Sequence, residues 1–147
     1  MMRYYFTDDL RIVLAEARRE ARRLRHDYVA NEHILLAYAV GKAPTTARLL
    51  AALGVDPAQT IKDVEEIVRV GSATTTEDRD LPYTSRTKKS LEHAMSAARE
   101  KGHSFVGIEH LLAGILREEK NIAAQVLISR NVSEQAVLSL ASPGDHQ

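Results

Sequence analysis

The chain of 147 residues balances 20 Lys and Arg against 20 Asp and Glu, with 44% hydrophobic and 27% charged residues. That is an ordinary globular balance, long enough for one well-buried core. A formal net charge of zero removes any global attraction to nucleic acid or anionic membrane, and the lack of cysteine excludes disulfides, thiolate metal sites and a cysteine nucleophile. Residues 1–9 hold no signal-peptide apolar region and no later run approaches membrane-spanning length, which points to a cytoplasmic protein.

Thr7 followed by Asp8 and Asp9 reads as a helix start, an N-cap with acids on the positive helix end, and Val13, Leu14, Ala17, Ala21 and Leu24 continue it at helical spacing. Asn31 offers a second cap ahead of Glu32-His33-Ile34-Leu35-Leu36-Ala37-Tyr38. Pro44 opens a short helix that Gly54 stops, and Asp56-Pro57 opens a fourth, with Ile61, Val64, Ile67 and Val68 as its apolar stripe up to Gly71. Residues 71–82 are polar, aperiodic and close on Pro82, a flexible connector. Beyond it, Thr84 or Ser85 caps a helix carrying Leu91, Ala94 and Ala98. Residues 107–117, 121–130 and 133–140 supply three more, and the tail at 142–147 is expected to fray. No stretch alternates as a strand would. The prediction is an all-α protein of eight helices, four in each half, packed as a single domain over 1–147.

The halves repeat one another. Shifted by about 77 positions, Thr7, Ala21, His26, Val29, Glu32, His33 and Leu35 fall without a gap on Thr84, Ala98, His103, Val106, Glu109, His110 and Leu112. Repeat one covers about 5–70 and repeat two about 83–141. Because polar residues recur along with the apolar spacing, the duplication preserves more than a helical period.

The repeated pairs Glu32-His33 and Glu109-His110 invite a catalytic or metal reading, but neither helix carries the second histidine four residues on that a zincin site needs. Satisfied structural histidines and first-turn glutamates on the helix dipole explain the pairs one residue at a time. The basic run Arg18-Arg19, Arg22-Arg23 and Arg25 has Glu16 and Glu20 three residues ahead of Arg19 and Arg23, so it reads as a solvated, partly paired helix face rather than a nucleic-acid patch. Gly41-Lys42 lacks the remaining residues of a phosphate-binding loop, and no nucleophile elbow or cofactor motif is present. A non-enzymatic binding module, with no metal and no cofactor, is the class left standing.

At Phe6-Thr7, His26-Asp27-Tyr28-Val29, Glu32-His33-Ile34-Leu35-Leu36 and their echoes Tyr83-Thr84, His103-Ser104-Phe105-Val106 and Glu109-His110-Leu111-Leu112, the sequence resembles the N-terminal domain of Clp-type unfoldase ATPases, in particular the ClpC-like branch. The resemblance implies two four-helix Clp repeats and a role in recruiting substrates or adaptor proteins ahead of an ATPase ring. It leaves two forms open: a free-standing adaptor, decoy or modulator, or the N-domain or regulatory subunit of a Clp ATPase–protease complex in ATP-dependent degradation. The implied partners are protein substrates, adaptors or Clp machinery, phosphoarginine-bearing proteins or small-molecule ligands of such domains, with neither nucleic acid nor membrane. The resemblance also implies phosphoarginine pockets, with Thr7 and Glu32 in one and Thr84 and Glu109 in the other. Asn31 can cap and hydrogen-bond where Ile108 cannot, so the expectation is a better pocket around Thr7 and Glu32 and an altered copy in repeat two.

Overall fold

The computed structural model describes residues 5–74 and 81–141. Most of the expected start signals act as caps. Thr7 accepts from Leu10 N–H at 3.2 Å and begins α1 (Asp8–Arg23). Pro44 stands at the first position of α3 (Pro44–Ala52). Asp56 accepts from Gln59 N–H at 3.1 Å at the start of α4 (Pro57–Ile67). Thr84, rather than Ser85, caps α5 (Ser85–Glu100). Asn121 and Ser133 do the same for α7 (Ile122–Ser129) and α8 (Glu134–Leu138). Except at α3, where proline itself lacks the N–H, a short polar side chain satisfies a backbone N–H that has no helical partner.

The cap expected at Asn31 is absent. Asn31 is the first residue of α2 (Asn31–Val40), and the N-cap is Ala30. The N–H of Ala30 donates to Nδ1 of His33 at 2.9 Å, so the histidine one turn in closes the end. The second half repeats this: α6 (Ile108–Arg117) follows Gly107, whose N–H donates to His110 Nδ1 at 2.9 Å. Among the described residues eight helices result, four on each side of the connector. Residues 75–80 of that connector and the tail at 142–147 lie outside the described residues.

The helices bury one continuous apolar cluster drawn from both halves, including Leu10, Val13 and Leu35 on one side and Leu111, Ile115 and Leu127 on the other. Helices α2 and α6 are central and buried on nearly every side. Tyr38 ties them together, its buried hydroxyl donating to the Ile108 carbonyl at 2.6 Å. Helix α6 also packs tightly on α5. A β-carbon at Gly114 would lie 2.4 Å from the Ser90 carbonyl oxygen and 2.8 Å from Ala94 N, so only glycine permits the approach. Among the described residues no helix is long and apolar enough to cross a membrane.

The structure adds two short parallel contacts that the sequence did not announce. β1 (Tyr5–Phe6) pairs with β2 (Phe105–Val106), Tyr5 opposite Phe105 and Phe6 opposite Val106. A single bridge joins Val29 to Tyr83, with Val29 N–H donating to Pro82 O at 2.8 Å and Thr84 N–H to Val29 O at 3.0 Å. Each contact lies just before two helix starts, one from each half. The chain ahead of α1 is thereby held beside the start of α6, and the chain ahead of α5 beside the start of α2.

Candidate functional site

This crossing decides which candidate residues meet. Thr84 lines a cavity of about 400 Å³ together with Asn31 and Glu32. Thr7 is held elsewhere: its N–H donates to Val106 O at 3.0 Å, and a β-carbon built on Gly107 would lie 3.6 Å from Thr7 Cγ2 and 3.3 Å from Glu109 Oε1. The expected pairs are therefore exchanged, with Glu32 facing Thr84 across the halves and Glu109 facing Thr7. An offset read along the chain places like residues in like helices. It does not say which half's entry segment lies beside which helix.

The cavity collects three helix N-termini. Ala30, Asn31 and Glu32 come from α2, Thr84, Ser85 and Arg86 from α5, and Asn121 and Ile122 from α7. Each terminus carries backbone N–H groups without helical partners and about half a positive charge. Arg86 adds a full charge; its exposed side chain is tethered by one long 3.3 Å bond from Nη1 to the Lys120 carbonyl. Against these cations stands one carboxylate. Burial pushes the Glu32 carboxyl upward, offset by its own backbone N–H and by the nearby His26 and Arg86. Chemically the site offers donors and positive charge to an anion and, beside them, one carboxylate to a cation.

Asn31 has a different place from the one its sequence suggested. It is 1% exposed, and neither its Nδ2 nor its Oδ1 finds a hydrogen-bond partner among the described residues. A buried primary amide with no partner costs about 1–3 kcal/mol. Its counterpart Ile108, 3% exposed, fills the same helix position with an apolar side chain at no such cost. The amide is thus a liability for folding at a position lining the cavity.

His26, His33, His103 and His110 serve the fold. With Nδ1 of His33 accepting from Ala30, its Nε2 carries the proton and donates to His26 Nδ1 at 2.7 Å, and His26 Nε2 donates to the Arg69 carbonyl at 2.8 Å. His110 and His103 repeat the inner bond at 2.9 Å. Burial, reinforced by His26 and Arg23, pulls His33 down to about 4, and burial with His103 and Lys101 does the same to His110. The four histidines form two pairs, each within its own half, and the described residues hold no group of three or more potential metal ligands. On the basic face of α1, Arg19 pairs with Glu16 at 3.0 Å and Arg23 with Glu20 at 2.8 Å and Glu65 at 2.7 Å, the partly paired surface that the spacing implied. Sequence reasoning did not single out Arg86, Tyr28 or Ile122 as site residues, because none belongs to a repeated polar pair.

Residues 5–129 match the family described as Clp repeat (R) N-terminal domain. The chain is 37% identical over its full length to the chaperone protein ClpB of Oceanobacillus iheyensis, covering 18% of that protein. It is 40% identical over 95% of its length to the negative regulator of genetic competence ClpC/MecB of Bacillus subtilis, covering 17% of it. The chain thus spans under a fifth of the length of these curated relatives. Among solved structures, the N-terminal domain of the ClpD chaperone from Arabidopsis thaliana superposes with a TM-score of 0.70 at 20% identity, over 91% of this chain and 92% of that one. The Hsp104 N-terminal domain from Candida albicans superposes with a TM-score of 0.70 at 17% identity, over 92% and 87%.

Proposed function

The chain belongs to the family of Clp repeat N-terminal domains, and from that premise we propose that it is a non-enzymatic protein-binding module that recruits protein segments or adaptors, acting as adaptor, decoy or modulator of Clp machinery. The cavity at Glu32 and Thr84 is its ligand site, and a phosphoarginine side chain is the ligand whose chemistry fits it. The observation that carries this reading is the convergence of three helix N-termini and Arg86 on one carboxylate. A phosphoguanidine presents a phosphoryl group of about two negative charges joined to a nitrogen-rich donor. The phosphoryl oxygens match the backbone N–H groups of Ser85 and Arg86 and the Arg86 guanidinium, while the guanidino N–H groups match the Glu32 carboxylate. Thr84 fixes the α5 terminus: its hydroxyl accepts from Thr87 N–H and donates to Thr87 Oγ1 at 2.9 Å.

Titration with a phosphoarginine-bearing peptide tests this, with the unphosphorylated peptide and Glu32→Ala as controls. The reading expects binding of the phosphorylated peptide alone and a loss of at least about tenfold in the variant, as for one charge-assisted hydrogen bond. Equal affinity for both peptides would remove the phosphoryl role. Unchanged binding by Glu32→Ala would remove the cavity.

A second reading is favoured by the share of the curated relatives that the chain spans: it works as the N-domain or a regulatory subunit of a Clp ATPase–protease complex in ATP-dependent degradation. A phosphate-binding loop encoded in frame downstream of Gln147 supports that form, and a stop codon there supports the free-standing one.

A further inference from the structure

The duplication gives each residue of the Glu32 cavity a counterpart around Thr7 and Glu109, and the two sets differ in charge. Arg86 corresponds to Asp9, Ser85 to Asp8, Asn31 to Ile108 and Ile122 to Thr45. Where the first site sets one guanidinium beside one carboxylate, the second has Asp8 and Asp9 in the first turn of α1, directly after Thr7, and Glu109 in the first turn of α6. Two members of the second set are also tied to each other. Thr45 Oγ1 donates a hydrogen bond to Asp9 Oδ2, joining the counterparts of Ile122 and Arg86, two residues that line the open cavity.

We infer that the two halves have diverged into one anion-accepting cavity and one bridged, acidic copy, so that the chain takes a single phosphorylated side chain, with Arg86 and Asn31 as the residues that set this specificity. The inference rests on the phosphoarginine reading above and sharpens it. A dianionic phosphoryl group beside Arg86 meets a cation and three positive helix ends, whereas at the duplicate position it meets Asp8, Asp9 and Glu109, and the repulsion cancels what the α1 and α6 termini offer. Asn31 adds a second discrimination. Rotation about its side-chain bonds presents the amide to the cavity, where Nδ2 donates to a phosphoryl oxygen and Oδ1 accepts from a guanidino N–H; Ile108 does neither. The unpartnered amide, buried at a position where the other half keeps an apolar residue, is independent evidence that this terminus is built for a ligand.

Isothermal titration of the whole chain with free phosphoarginine, and with arginine as control, tests the inference. It expects one site per chain, affinity within about twofold of wild type for Glu109→Ala, and at least about tenfold weaker binding for Arg86→Ala, one charge-assisted contact being lost. Arg86 is exposed and its one side-chain hydrogen bond among the described residues goes to the Lys120 carbonyl, so this variant keeps its fold, which a thermal melt verifies. Two sites of similar affinity, or a loss in Glu109→Ala equal to that in Arg86→Ala, overturns the divergence while leaving the phosphoarginine reading intact. Absence of binding by the wild-type chain overturns that reading and the inference together.

Discussion

Replacing Asn31 by leucine, nearly the same shape without the amide, should stabilise the protein while weakening its ligand binding. Both polar atoms of Asn31 are buried without partners among the described residues, so the substitution removes a desolvation cost of about 1–3 kcal/mol. Ile108 at the matching position shows that this first turn accepts an apolar side chain of four carbons in the same fold. Taking about 2 kcal/mol as the gain and about 2–4 °C per kcal/mol for a chain of this size, Tm should rise by about 4–8 °C. Urea denaturation should place the gain in the midpoint with an unchanged slope. The reverse change, Ile108→Asn, buries a new amide and should lower stability by about 2–4 kcal/mol, since apolar packing is lost as well. A fall in Tm for Asn31→Leu would refute the reasoning, because it would mean that the amide is satisfied in the folded protein and contributes to its stability.

Three further outcomes follow from the same geometry. Gly114→Ala forces a methyl against the Ser90 carbonyl and should cost about 1–3 kcal/mol by overpacking, read as a lowered urea midpoint. Tyr38→Phe removes the bond to the Ile108 carbonyl and should cost about 1 kcal/mol, with an unchanged far-ultraviolet circular dichroism spectrum. His33 and His110 are held at about 4 in the folded state against an ordinary 6.5. The unfolded chain therefore binds more protons between these values, and stability should be full above about pH 6.5 and fall as the pH drops toward 4, by on the order of 2 kcal/mol per histidine. Urea midpoints at pH 7.5 and pH 4.5 check this, and a midpoint higher at pH 4.5 would contradict it.

The elements were legible wherever the signal was local. Thr7, Asp56, Thr84, Asn121 and Ser133 cap because a short polar side chain at a helix start reaches an N–H two or three residues on, whatever the rest of the chain does. Asn31 misled for the same reason in reverse. His33 supplies the reciprocal bond to Ala30, so the helix begins one residue earlier than the asparagine signal indicates, and Asn31 turns inward unpartnered. The two parallel contacts at Tyr5–Phe6 and at Val29 join residues tens of positions apart, and two-residue strands leave no alternation to read. The exchange of Thr7 and Thr84 between the sites follows from those contacts. The repeated polar residues marked both sites, but their pairing is a tertiary fact. Arg86 and Asp9, which give the two sites opposite charge, differ between the halves and so were invisible to a comparison that looked for likeness.

The most direct measurement is the map of backbone amide chemical shifts on adding phosphoarginine to the isotopically labelled chain. Shifts concentrated at residues 30–32, 84–86 and 121–122, where the helices α2, α5 and α7 begin around the cavity, are the predicted result. Shifts centred instead on Thr7, Asp8, Asp9 and residues 107–109, or spread evenly over both sites, would contradict a single ligand cavity built across the halves at Glu32 and Thr84.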